Sequence, residues 1–346
     1  MSTTIVEDAA MATYDALRTK AASVDRSARM RMTFAGDKAK EALGGLLTND
    51  VVSLATGHGQ RAAALTPKGR VIALVRVMDR GDDVLVDADA AAAEGFVAMI
   101  RKYVNPRLAK YADVTASTRC VGVYGPQSAH VLAVALAAST DAQGARDALH
   151  AIESLGTHAS LRIGTGDAAV LVVRSADLGG VGFDCIGSAA RIDALEAALA
   201  AANVPLASRE VVTVARVEAG IPEWGAEIDA DTIPQEANLD TLGAISFNKG
   251  CYTGQEVVVR IQHRGHVNKH LRQLVASEPM PVGSTVLDAE GKDVGAVRAS
   301  VVSPTQGPLA IAMVRREVEP GSTVTVRFAA RDISARCEAI GYATSS

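Results

Sequence analysis

Apolar positions along this chain change their period at identifiable points, and the changes predict its elements. In Ala35 to Leu47, AGDKAKEALGGLL, they fall at helical intervals ahead of the polar stop TND. Residues 60–89, QRAAALTPKGRVIALVRVMDRGDDVLVDAD, carry short apolar runs separated by TPKG and DRGDD, which predicts three adjacent antiparallel strands. Helical spacing returns from Ala90 to Tyr103, with Pro106 as a stop. A similar order follows: strand-like RCVGVYG, a helix from Gln127 into the alanine-rich 130s, strand-like ASLRI, AAVLVVR and GVGFDCI, then a helix from Ala189 to Ala202. Two α+β lobes built on comparable plans are expected, with a cleft between them. After Lys269 only strand patterns remain: HLRQLVAS, STVLD, KDVGAVRASVV, LAIAMVR, STVTVRF and ARCEAI, punctuated by PVG, DAEGKD, SPTQGP and EPGS. These predict an all-β barrel or sandwich. The expected units are residues 1–115, residues 116–269, which can interleave with the first, and residues 270–346.

Composition narrows the class. With 48% hydrophobic and 21% charged residues over 346 positions, the chain can bury a large core without disulfide or metal staples. A net charge of −4 without a Lys/Arg tract argues against a protein that mainly coats nucleic acid. Cys120, Cys185, Cys251 and Cys337 lie far apart and form no CxxC pair, which suits reduced thiols. The first 20 residues hold no apolar signal core, and no uncharged apolar run reaches 18 residues, so a cytoplasmic address and no membrane span are expected. No G-x-G-x-x-G sits at a strand-to-helix transition and no G-x-S-x-G occurs, so NAD, ATP and serine-hydrolase chemistry lack support.

Candidate chemistry concentrates in residues 246–270, SFNKGCYTGQEVVVRIQHRGHVNKH. Gly250 and Gly254 bracket a thiol, a phenol and a hydroxyl. Such a turn can present Cys251 to a ligand beside Lys249, or Cys251 can be a small buried apolar residue. His263, His266 and His270 have helical spacing, but no cysteine or carboxylate stands close to them in sequence, so no metal site is assigned. Arg260, Arg264, Lys269 and Arg272 form a basic stripe that can meet a polyglutamate tail, an RNA backbone or only solvent.

KGCYTGQE, residues 249–256, resembles the signature of the YgfZ-type folate-binding proteins, whose mitochondrial relatives assist iron–sulfur cluster assembly, within the superfamily of the glycine-cleavage aminomethyltransferase. LLTNDVVSL at 46–54, TPKGRVI at 66–72, RVEAGIPEWGAEI at 216–228 and Pro234, Glu236 and Ala237 extend the likeness over most of the chain. The resemblance implies an α+β fold of two ferredoxin-like or split α/β lobes around a central folate cleft, with a C-terminal antiparallel β-barrel. It implies tetrahydrofolate or a derivative as cofactor, iron–sulfur proteins as clients, and a role in cluster assembly or repair. The alternatives are a folate-dependent aminomethyl- or methyltransferase and an accessory factor in tRNA modification. Carried over by position, Asp184 in GVGFD would meet the pterin edge, Arg216 a folate carboxylate unless it pairs with Glu218, Lys249 the glutamate tail, and Tyr252 an aromatic ring. Cys251 would supply thiol or one-carbon chemistry. In the transferase the hairpin carries an acidic pair where this chain has Ala73 and Leu74, neither of which can move a proton.

Overall fold

The structure, a computed structural model, describes residues 3–136 and 142–342. In chain order the strands are β1 Thr4–Ile5, β2 Ala22–Asp25, β3 Met30–Ala35, β4 Gly59–Leu65, β5 Val71–Asp79, β6 Val84–Ala88, β7 Lys110–Asp113, β8 Arg119–Tyr124, β9 Ser160–Ile163, β10 Val170–Ser175 and β11 Gly182–Gly187. Six more complete the set: β12 Lys269–Ala276, β13 Thr285–Leu287, β14 Asp293–Ser303, β15 Gly307–Arg315, β16 Thr323–Phe328 and β17 Arg331–Glu338. The helices are α1 Asp8–Thr19, α2 Ala39–Gly44, α3 Ala93–Tyr103, α4 Ser128–Leu136, α5 Ala142–Glu153, α6 Ala189–Ala201, α7 Arg209–Glu218 and α8 Gln255–Arg264.

The first lobe is a five-stranded antiparallel sheet ordered β4-β5-β6-β3-β7. Its core takes Phe96, Met99 and Ile100 from α3, together with Leu43 from α2. The second sheet is ordered β2-β8-β11-β10-β9, also antiparallel throughout. Read from β9, that order repeats the first lobe strand for strand, so the comparable plans expected from the sequence are present in the topology. The edge strand is the exception: β2, near the N-terminus, occupies it and pairs with β8. Leu132 of α4 and Ile192, Leu195 and Leu199 of α6 pack into this lobe's core. The helix expected from Ala35 starts only at Ala39, because Ala35 ends β3 and Gly36, at φ +105°, turns the chain.

Residues 269–338 form a closed six-stranded antiparallel barrel, β14-β13-β16-β17-β12-β15, with β14 and β15 paired to close it. All six strand patterns named from the sequence are strands. β1 adds to β14 in parallel, so the N-terminal segment is tied to the barrel. A central apolar cluster joins the three parts: Leu65, Val71 and Leu74 from the first sheet, Val211, Val214 and Val217 from α7, Val258 from α8, and Leu271, Leu309 and Ile311 from the barrel. Among the described residues no helix is long and apolar enough to cross a membrane.

A buried ionic cluster fixes the two sheets to each other. Arg76 on β5 donates to Asp87 on β6 and, across the lobes, to Asp184 on β11 at 2.5 Å. Asp177 accepts from Arg26 at 2.7 Å and from Arg61 at 2.6 Å. Burial alone would raise carboxyl pKa values, yet Asp87 and Asp177 are held well below the usual range because arginines surround them.

Candidate functional site

The motif KGCYTGQE folds as a loop fastened at both ends to the first lobe. Ahead of it, Ser246 N–H donates to the Thr48 carbonyl at 3.0 Å, and the Thr48 hydroxyl donates to the Ala244 carbonyl at 2.6 Å. Lys249 Nζ donates to the carbonyls of Gly44 at 2.5 Å, Leu47 at 2.6 Å and Asn49 at 3.1 Å. Those carbonyls lie at and just beyond the C-terminus of α2, where the helix leaves acceptors unpaired and its dipole favours a cation. Burial lowers the Lys249 pKa to about 8, opposed by the charge of Asp50. The ammonium also stands 4.9 Å from the centre of the Tyr252 ring.

Two glycines set the far end. Gly254 adopts φ +79° and caps α8; a Cβ there would sit 2.5 Å from the Thr66 carbonyl oxygen and 3.2 Å from Gly69 Cα. Gly69, at φ +71°, faces Val257 so closely that its own Cβ would lie 2.8 Å from Val257 Cβ. The TPKG turn and the signature loop therefore meet backbone to backbone, which accounts for a glycine in each.

Between these anchors Cys251 is exposed, whereas Cys120, Cys185 and Cys337 are buried. The alternative of a buried apolar Cys251 is thereby corrected: fastening the loop on either side leaves its apex in solvent. Tyr252 turns inward, 7% exposed, with its hydroxyl unpartnered, and burial pushes its pKa up to about 12.

The other residues singled out by sequence lie apart from this loop. Asp184 is fully buried in the inter-lobe cluster, where it accepts from Arg76 and, at 2.7 Å, from the Tyr124 hydroxyl. Arg216 on α7 pairs with Glu227 at 3.0 and 3.1 Å and donates to the Ile221 carbonyl at 2.6 Å. The alternative Arg216–Glu218 pair does not form, because residues two apart point to different sides of a helix; Glu218 instead accepts from Tyr14 and Arg18. Ala73 packs into the first lobe's own core, and Leu74 points the other way into the central cluster. The three histidines do not share a helix face: His263 is in the last turn of α8, Gly265 ends that helix, His266 lies in the connection and His270 is on β12. Arg260 and Arg264 are exposed on α8.

A cavity of about 390 Å³ opens where the lobes, the segment after α7 and the C-terminal tail meet. Gln60, Arg61, His158, Ile221, Leu242 and Tyr342 are among the residues lining it. Sequence reasoning missed this group, since its members come from five separate stretches and form no local motif. The Arg61 charge is matched by Asp177. His158 is 8% exposed, and burial together with the Arg61 charge lowers its pKa to about 3, so the ring is neutral near pH 7. The segment that contributes Thr241, Leu242 and Gly243 to the wall runs directly into the Cys251 loop.

A two-lobe α+β scaffold closed by a β-barrel, with a cavity at the junction and a thiol on a fastened loop, defines the class. Residues 2–249 match the GCVT N-terminal domain and residues 268–336 the CAF17 C-terminal beta-barrel domain. The chain belongs to the GCVT N-terminal domain family, and the YgfZ-type resemblance read from KGCYTGQE is borne out. It is 28% identical to an aminomethyltransferase of Rubrobacter xylanophilus over 318 residues, covering 91% of this chain and 82% of that one. Over 86 residues, 23% of this chain and 20% of the relative, it is 41% identical to a mitochondrial iron–sulfur cluster assembly factor IBA57 homolog of Coccidioides immitis. The crystal structure of aminomethyltransferase T from Bartonella henselae superposes with a TM-score of 0.85, covering 97% of this chain and 90% of that one at 20% identity, a likeness of fold.

Proposed function

We propose that this protein binds tetrahydrofolate and supports the assembly or repair of iron–sulfur clusters in client proteins, without aminomethyl transfer. The observation that carries the reading is Leu74. On a scaffold that resembles the aminomethyltransferase, the hairpin position facing the central cluster holds an alkyl side chain 9% exposed, and Ala73 beside it is buried in the opposite direction. Neither can hold an ammonium ion or accept a proton. The relative named as an iron–sulfur cluster assembly factor supports the same direction.

The cavity fits a folate head group in size and in wall chemistry. About 390 Å³ lies within the range of small-molecule sites, and the lining combines alkyl and small residues with a few polar side chains. Tetrahydrofolate bound there would supply a one-carbon carrier. Asp184 and Arg216, the folate-contacting candidates, act in this reading through the walls: Asp184 joins the sheets and Arg216 holds the segment after α7. Lys249 and Tyr252 fix the loop, and Cys251 offers the accessible thiol that a thiophilic cargo or client requires.

Anaerobic calorimetric titration with tetrahydrofolate tests the cofactor: saturable one-site binding is expected, and its absence up to millimolar ligand removes the claim. Complementation of a deletion strain by Cys251→Ala tests the thiol, with loss of iron–sulfur enzyme activity expected. Turnover with N-methyl or aminomethyl donors would instead support the transferase reading. Tight, steeply salt-dependent RNA binding unaffected by folate would support the tRNA-linked one.

A further inference from the structure

Three side chains on the cavity wall, His158, Gln60 and Tyr342, carry a buried polar atom without a partner. His158 Nδ1 is shielded from solvent and bonds to nothing, and the imidazole makes no hydrogen bond among the described residues. Gln60 Nε2 is in the same condition. Both residues line the same cavity. Native proteins seldom leave buried polar atoms unpaired, since desolvating them costs stability that nothing in the free protein returns. His158 also adopts φ +63°, an uncommon conformation for a residue other than glycine, so the backbone there is held in a particular form. Its carbonyl lies against Gly59, where a Cβ would clash with it, which places the loop before β9 hard against the start of β4.

We infer that His158 and Gln60 are the polar recognition pair of this cavity, and that they read the amide-like edge of a planar heterocycle of the pterin class. A neutral imidazole offers one donor and one acceptor, and a carboxamide offers both on one plane. The reduced pterin ring presents an alternating donor and acceptor edge that such a pair can satisfy. Both side chains end in planar groups on soft terminal torsions, so a turn about the last bond brings the unpartnered nitrogen to a ligand entering the cavity. Arg61 is not the reader, because Asp177 already takes its charge. The ligand group at this end is therefore neutral and polar rather than a carboxylate. This inference rests on the folate reading and adds to it the residues that recognise the ring.

The test uses the full chain and three probes under anaerobic conditions: tetrahydrofolate, 6-methyltetrahydropterin, which lacks the tail, and p-aminobenzoylglutamate, which lacks the ring. His158→Ala and Gln60→Leu are each expected to weaken binding of the two pterin-containing probes at least about tenfold and to leave any p-aminobenzoylglutamate binding unchanged. The free Gln60→Leu variant should melt no lower than the wild type, because it loses an unpaired buried polar group at similar volume. His158→Ala, which sets an alanine at φ +63° and loses packing, is read for binding only, with His158→Asn as its stability control. His158→Asn, which tolerates a positive φ and retains a donor and an acceptor, should keep most of the affinity. Pterin binding by the alanine and leucine variants equal to wild type overturns the inference and leaves the folate reading standing. A wild type that binds none of the three probes overturns both. Lost binding accompanied by a lowered melting temperature in free Gln60→Leu and His158→Asn also overturns it, since that pattern marks a structural role.

Discussion

Replacing Gly254 by alanine adds one methyl group where the backbone leaves no room for it. The new Cβ would lie 2.5 Å from the Thr66 carbonyl oxygen, 3.0 Å from Leu65 Cβ and 3.2 Å from Gly69 Cα. Two of these neighbours are backbone, held by the β4–β5 hairpin, so the strain cannot be relieved by swinging a flexible side chain. The φ of +79° adds the left-handed penalty of about 1–2 kcal/mol for a residue with a Cβ. Overpacking of this kind costs a further ~1–3 kcal/mol. Gly250 provides the control within the same motif: nothing lies within 4 Å of its would-be Cβ and its φ is not in the left-handed region. Gly250→Ala should stay within about 0.5 kcal/mol of wild type, as for an ordinary surface change. Denaturation followed by the fluorescence of Trp224, the single tryptophan, should show a clear loss for Gly254→Ala and none for Gly250→Ala. Equal stability of Gly254→Ala and wild type would refute the backbone-to-backbone contact between the signature loop and the TPKG turn.

The four thiols should separate sharply, with Cys251 alone titrating rapidly with a disulfide reagent in the folded protein and the other three only after unfolding. Lys249→Met removes the donor to three carbonyls, so stability should fall by roughly 1–3 kcal/mol, read by thermal melting. Asp87→Ala leaves Arg76 and Arg29 buried without this carboxylate and should cost about 3–5 kcal/mol, read by denaturant titration. Because the folded-state pKa values of Asp87 and Asp177 are depressed, the stability they contribute is fully present above the unfolded carboxyl value of about 4 and is lost as pH falls below it. Acid unfolding followed from pH 6 to pH 2 should show that decline, and Asp87→Ala should flatten it.

Local signals make the barrel and most of both lobes legible in the sequence. Each barrel strand is a short run with a turn signal at its end, and strand formation there follows from alternation and turn chemistry over a few residues. The signature loop was legible for a similar reason, as its glycines, lysine and thiol lie within one short stretch. Partners across distance were not. That Arg216 would meet Glu227 rather than Glu218 depends on how the chain turns after α7, and that Asp184 would meet Arg76, 108 residues away in sequence, depends on two sheets facing each other. β2 carries four residues, too few to show a period, and its place at the edge of the second sheet is decided by pairing with β8. The cavity is the extreme case: Gln60, His158, Leu242 and Tyr342 share nothing in sequence. The amino-acid sequence by itself determined the elements, the family likeness and the signature motif, because those rest on short-range sterics and patterning. Which charges pair, which thiol stays outside and where a ligand fits were decided only in the tertiary structure, because burial and desolvation act on groups that the fold alone brings together.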